Sequence, residues 1–275
     1  MSLLDRLKNF NNPKKKDSVF LCLGGPSRVG KSYVSCATWP KGTRILQILT
    51  ILDAQGYESG KRMATGMPLY LDEDGNIIEN MTERYDNGLD MLEDPSFVDE
   101  IVKNFDVIVA DGINWDHIIH KHIDCIPSKT KNITKFDVWP NVTDKYARLF
   151  QALKGLHERG LHIVCNLTYE ESDDRFIPTI QGKPGIKVPS WFPDVLFLKR
   201  TEDGKALWSV NKVVRKESSS FGGETGDQIV YENVVGGRLG RFPIRALEGK
   251  PATMAGLLEY RKNGGRWPEP KKPAA

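Results

Sequence analysis

The sequence predicts an α/β fold: a mostly parallel sheet with helices on both faces, a β-hairpin insertion and a C-terminal antiparallel extension. Three observations carry this. Ser18 to Leu23 (SVFLCL) is an apolar run that leads into a glycine loop and then into Ser32 to Thr38, a stretch without Gly or Pro. Arg44 to Leu52 (RILQILTIL) is apolar without clean alternation, the pattern of a strand buried on both faces. Phe105 to Asp111 (FDVIVAD) has the same character and ends in a carboxylate.

The glycine loop is Gly25-Pro26-Ser27-Arg28-Val29-Gly30-Lys31-Ser32, which fits the phosphate-binding pattern G-x-x-x-x-G-K-[ST] at every specified position. Strand, loop and helix start are what that chemistry needs. Successive backbone N–H groups and the positive end of a helix then face a polyphosphate. Gly25 to Ser32, with Tyr33 after them, are therefore the candidate nucleotide-binding residues. Lys31 is expected on the β/γ-phosphates and the Ser32 hydroxyl on Mg²⁺. Asp111 ends a buried strand, and in an open α/β sheet such ends open on the crevice that holds the ligand. It is the candidate second holder of Mg²⁺, through a water. The expected cofactors are ATP and Mg²⁺.

Composition narrows the class. At 275 residues, one α/β domain with additions is expected rather than two independent ones. Hydrophobic content of 39% and charged content of 27% describe an ordinary soluble globular protein. A net charge of +3 is too small to imply nucleic-acid binding by itself. No apolar run approaches the ~20 residues of a membrane span. Asp5 and Arg6 break the apolar character of the first ten residues, unlike a signal peptide. Cys22, Cys36, Cys125 and Cys165 form no C-x-x-C pair and read as reduced, mostly buried thiols, so a cytoplasmic location is expected.

In chain order, residues 1–17 read as a short helix and a basic linker, 18–216 as the core, and 217–275 as an extension with a flexible tail. Within the core, residues of about 57–104 form an insertion. There, Met67 to Leu71 and Asn76 to Glu79 read as a β-hairpin closed at Asp74-Gly75, and Asp94 starts a helix to Lys103. His117, His120, His122 and Cys125 fall on two flanks of a helix, which favours a partly exposed helix over a zinc site. Pro127 to Asn141 interleaves Lys129, Lys131 and Lys135 with Phe136 and Trp139; it reads as a solvated loop or as one that meets nucleic acid. Thr143 is expected to cap a helix running to Gly160, followed by a strand from Leu161 to Leu167. Asn166, Thr168 and Glu170 near its end are candidates for sensing a γ-phosphate. Residues 176–194 read as a long loop. Val195 to Lys199 and Ala206 to Val210 read as a hairpin, and Thr253 to Lys262 as a helix.

A water-activating acid is harder to place, because Gly112 follows Asp111 where many ATPases carry Glu. The candidates are Asp53 and Glu58 after the second strand, and the acids of 72–74. Gln55 could orient water but is a poor base.

In the order of its parts the chain resembles the phage-encoded P-loop nucleotide-binding proteins of the RecA-like superfamily, AAA-family ATPases, some of which act in single-strand annealing and recombination. The resemblance covers roughly residues 18–216. It rests on GPSRVGKS, the Trp39-Pro40 break, LDAQG, VIVAD, the helix before IVCNLTYEE, and the later IPTIQGKPG and FPDVLFLKR. It implies a P-loop NTPase core of the RecA-like type and Mg²⁺-dependent ATP hydrolysis in phage DNA metabolism. It also implies single-stranded DNA as a candidate partner, no membrane, and the host-cell cytoplasm. A homo-oligomer is implied too, with Lys212 or Arg215 completing a neighbour's site in trans. Two departures, Gln55 in place of an acid and Gly112 in place of Ser, bear on hydrolysis more than on binding. The alternatives are a nucleotide-gated assembly protein with little turnover, and a small-molecule or nucleotide kinase. A kinase would need an arginine-rich lid, whereas Asp173 to Lys187 carries Arg175 alone.

Overall fold

Strand β1 (Phe20–Gly25) of the computed structural model lies between β5 (His162–Ser172) and β7 (Asp194–Arg200), parallel to both. The structure describes residues 18–49, 64–68, 74, 76, 81–111, 138–172, 175–178, 191–209, 213–215, 229–231 and 244–268. Beyond β5 follow β4 (Val107–Asp111), β2 (Ile45–Leu49) and β3 (Thr65–Pro68), all parallel. On the other flank β8 (Ala206–Ser209) returns antiparallel to β7, the hairpin read from the sequence. β5 also outruns the sheet. Past Thr168 it pairs antiparallel with β6 (Arg175–Pro178), which adjoins β9 (Val213–Arg215), itself antiparallel to β10 (Ile229–Tyr231).

The alternation of side chains along β1 shows why helices cover both faces. Phe20 and Cys22 enter one core with Leu46, Ile48, Ile108, Ile163 and Cys165; Val19, Leu21 and Leu23 enter another with Ile45, Val107, Val109 and Val164. Against the first core pack α2 (Met81–Glu93), α3 (Pro95–Asn104) and α4 (Val138–Glu158). Against the second pack α1 (Lys31–Ala37), the 3₁₀ turn Ile244–Leu247 and α5 (Met254–Lys262). This is an α/β fold: a mostly parallel sheet, helices on both faces, and antiparallel strands toward the C-terminus.

Local signals set several boundaries as expected. The Asp94 carboxylate caps α3, accepting from the N–H groups of Ser96 at 2.7 Å and Phe97 at 3.1 Å, with Pro95 in the first turn. Thr253 caps α5 by accepting from Gly256 N–H at 3.1 Å. Gly160, at φ 102°, follows the end of α4.

Four boundaries differ from the sequence reading. α2 stands where the sequence shows no helix. Leu89 and Leu92 bury against the first core, and Asp86 and Glu93 pair with Lys145 and Arg148 of α4 at 2.6 and 2.7 Å. α4 begins at Val138 rather than behind Thr143, because Pro140 falls in its first turn, where a missing N–H costs no helical bond. Thr65–Pro68 overlaps the expected first hairpin arm but joins the main sheet, Met67 lying opposite Ile48 in parallel register. The strand expected to end at Leu167 runs to Ser172, with β6 as its partner inside what reads as loop. The N-terminal helix, the 77–79 arm of the hairpin and the His117–Cys125 stretch lie outside the described residues.

Candidate functional site

The loop leaves β1 through two glycines where a larger residue would crowd its neighbours. A Cβ on Gly24 would sit 2.7 Å from ring carbons of Phe197 and 2.8 Å from the Tyr169 ring; one on Gly25 would lie 3.0 Å from the Leu198 carbonyl oxygen. Val29 is buried and pins the middle of the loop into the second core, while Ser27 and Arg28 are exposed. Gly30, at φ 103°, opens α1 in the left-handed region that glycine enters without penalty. Neither a capping side chain nor an acid occupies the first turn of α1. The first N–H groups of that helix thus keep their capacity to meet an anion.

Lys31 folds back into this loop. Its ammonium donates to the carbonyl oxygens of Gly25 at 3.0 Å and Pro26 at 2.7 Å. Burial pulls its pKa down to about 8, against the opposing pull of the Asp111 charge and, more weakly, of Cys22. Ser32 follows in the first turn, and Tyr33 is 57% exposed on the outer side of α1.

Asp111 ends β4, half-buried. Its Oδ2 accepts from Gln47 Nε2 at 2.8 Å and its Oδ1 from Asn166 Nδ2 at 2.9 Å. Asn166 Nδ2 also donates to Ser35 Oγ at 2.9 Å, and Ser35 Oγ donates to the Ser32 carbonyl oxygen at 3.3 Å. A hydrogen-bonded chain therefore runs from β2 through β4 and β5 to the helix that carries Lys31 and Ser32.

The structure brings the loop residues, Lys31, Ser32 and Asp111 to one end of the sheet. Thr168 is the register partner of Gly25, beside the loop, while Glu170 lies two residues further along β5, opposite Ile177 of β6. At ~3.3 Å per residue, the backbone of Glu170 stands roughly 7 Å past the start of the loop. Arg215 is the last residue of β9, opposite Ile229. Asp74 is exposed in a turn. Asp53, Gln55, Glu58, Gly112 and Lys212 lie outside the described residues.

Gln47 and Ser35 are contributions that reading the sequence missed. The signal for Gln47 was present: it is the single polar residue in ILQIL, and it is fully buried. Asn166 was a candidate for sensing phosphate, but it is only 1% exposed and its amide N–H groups go to Asp111 and Ser35.

The donors on offer to a cation are oxygens, the Ser32 hydroxyl and the Asp111 carboxylate. Among the described residues no three His, Cys, Asp or Glu side chains gather into a metal site. Two protein oxygens, the rest of the shell left to phosphate and water, suit Mg²⁺, which dehydrates reluctantly.

β5 stands between the strand that carries the loop and the strand that carries the acid, so the two sit one strand apart at the same end of the sheet. No protein-family model matches the sequence, and no curated protein matches it. Among solved structures it is similar to a KaiC-like protein from the hyperthermophilic archaeon Pyrococcus horikoshii OT3, at 13% identity over 78% of this chain and 89% of that one, with a TM-score of 0.34. Among the described residues no helix is long and apolar enough to cross a membrane.

Proposed function

We propose that the chain binds ATP with Mg²⁺ in the loop of Gly25 to Tyr33 and hydrolyses it slowly, as an ATPase serving phage DNA recombination or annealing. The observation that supports this most is the partly buried Lys31 ammonium, held inside the loop by the Gly25 and Pro26 carbonyls and drawn toward Asp111. A cation kept out of water without a salt bridge is costly. Triphosphate oxygens placed in the loop would supply the counter-charge. Lys31 would then exchange carbonyl partners for phosphate oxygens, and the α1 N–H groups would donate to the adjoining phosphates. Ser32 and Asp111 would hold Mg²⁺, which neutralises charge on the transferring phosphoryl group. Loop and cation site together orient the triphosphate. The part in DNA metabolism, single-stranded DNA as a partner and a shared site in a homo-oligomer come from the sequence resemblance.

Gly112 behind Asp111 favours a second reading, a nucleotide-gated assembly protein with little turnover. Phosphate release measured with and without single-stranded DNA, beside nucleotide-dependent light scattering, separates the two. DNA-stimulated release supports the first. Scattering that follows ATP binding without release supports the second. An absence of ATP binding at millimolar concentration defeats both.

A further inference from the structure

Two buried amides converge on one carboxylate. Gln47 and Asn166 are 0% and 1% exposed, sit on different strands, and donate to different oxygens of Asp111 at 2.8 and 2.9 Å. In doing so they leave their own carbonyl oxygens, Gln47 Oε1 and Asn166 Oδ1, buried and without a hydrogen-bond partner. Buried polar atoms are seldom left so, and a fold that accepts two beside one acid gains something other than stability. Neutral amides have one property that an arginine or lysine lacks in this place. They orient a carboxylate without adding a positive charge of their own to offset it. The Asn166 branch to Ser35, and from there to the Ser32 carbonyl oxygen, ties the acid to the turn that carries the hydroxyl ligand.

We propose that Gln47 and Asn166 are positioning residues for the cation. They hold Asp111 at a fixed orientation and, through Ser35, at a fixed distance from Ser32, so the Mg²⁺-dependent part of nucleotide binding depends on two side chains that touch neither ligand. The inference rests on the reading of the loop as a triphosphate site. Partners behind a metal ligand commonly set its affinity by about 10- to 100-fold.

The test is a Mg²⁺ titration of the binding of a fluorescent ATP analogue, run beside the same measurement in EDTA and a thermal melt. Gln47→Met and Asn166→Ser each remove one donor while keeping a side chain that fits a buried site. Each is expected to raise the Mg²⁺ concentration at half-effect about tenfold, to leave affinity in EDTA within about twofold of wild type, and to recover at saturating Mg²⁺. Should Gln47→Met fail to fold, Ser35→Ala deletes one small hydroxyl and is expected to shift the midpoint about two- to threefold in the same direction. A folded variant with the wild-type Mg²⁺ midpoint overturns the proposal. So does a loss of affinity equal in EDTA and in Mg²⁺, which would make the pair packing for the loop. A wild-type protein that binds no analogue defeats the triphosphate reading instead.

Discussion

The backbone N–H of Met254 donates to the Thr38 hydroxyl at 2.8 Å, across 216 residues of chain. The same hydroxyl donates to the Val34 carbonyl oxygen at 2.6 Å, and Ala255 N–H donates to the Thr38 carbonyl oxygen at 2.9 Å. The helix that begins at the phosphate loop is thus closed at its other end by the start of α5. A helix of two turns has little stability of its own, so this docking holds it in place.

Thr38→Val should lower stability by about 1 kcal/mol, because the Met254 N–H loses its acceptor in a partly buried place. For a protein of this size that is a fall in Tm of roughly 2–4 °C by calorimetry. Thr38→Ser keeps the hydroxyl and should recover most of it. A Thr38→Val protein as stable as wild type would show that the hydroxyl is not needed to hold α5 against α1.

Lys31→Ala should remove measurable ATP binding while leaving the melting temperature unchanged or raised, since a cation that burial penalises is deleted. The same penalty gives a pH dependence. With Lys31 lowered to about 8 in the folded chain and near its ordinary 10.5 when unfolded, the unfolded state binds more protons between those values. Its contribution therefore makes stability rise with pH across that window and stay flat below it. ATP affinity should move the opposite way, falling above about pH 8 as the ammonium is lost, with proton uptake on binding detectable by calorimetry in buffers of different ionisation enthalpy. An affinity unchanged up to pH 10 would show that Lys31 does not meet the phosphates.

Asp111→Asn should spare ATP binding in EDTA and cut Mg²⁺-dependent turnover by about 10²-fold or more. The new amide would also turn an N–H₂ group toward one of the two donors, Gln47 or Asn166, so a drop in stability of about 1–3 kcal/mol accompanies it. Normal hydrolysis by this variant would transfer the role to another acid.

Gly24→Ala should destabilise by about 1–3 kcal/mol, since its methyl group meets the buried rings of Phe197 and Tyr169. Chemical denaturation measures the loss. A wild-type midpoint would mean that β1 and β7 can separate more easily than their packing implies.

If Arg215 acts on a neighbouring subunit's nucleotide, Arg215→Ala and Lys31→Ala proteins should each be inactive alone and regain turnover when mixed. An intact loop then meets an intact arginine at some interfaces, and such a residue is worth about 10³- to 10⁵-fold in rate. Full turnover by a dilute monomer rules this arrangement out.

The parts legible in the sequence were those whose cause is local. β1, the loop, α1 and β4 with Asp111 announce themselves through apolar runs and a motif whose spacing is set by the geometry of phosphate binding. α2 has no such cause. Asn87-Gly88 interrupts it with a turn signal, Met91 faces solvent at 39% exposure, and its anchors are Leu89, Leu92 and ion pairs to α4 more than fifty residues away. Gln47 is the same kind of case. A glutamine in an apolar strand looks like an error until Asp111, a separation of 64 residues, comes to lie beside it.

β5 belongs to two sheets at once. From Ile163 to Thr168 it lies beside β1, and from Tyr169 to Ser172 beside β6, with no linker between consecutive residues Thr168 and Tyr169. The two sets of strands therefore share a beam. A displacement of β6 carried along this strand would reach Thr168, the register partner of Gly25, without crossing a loop.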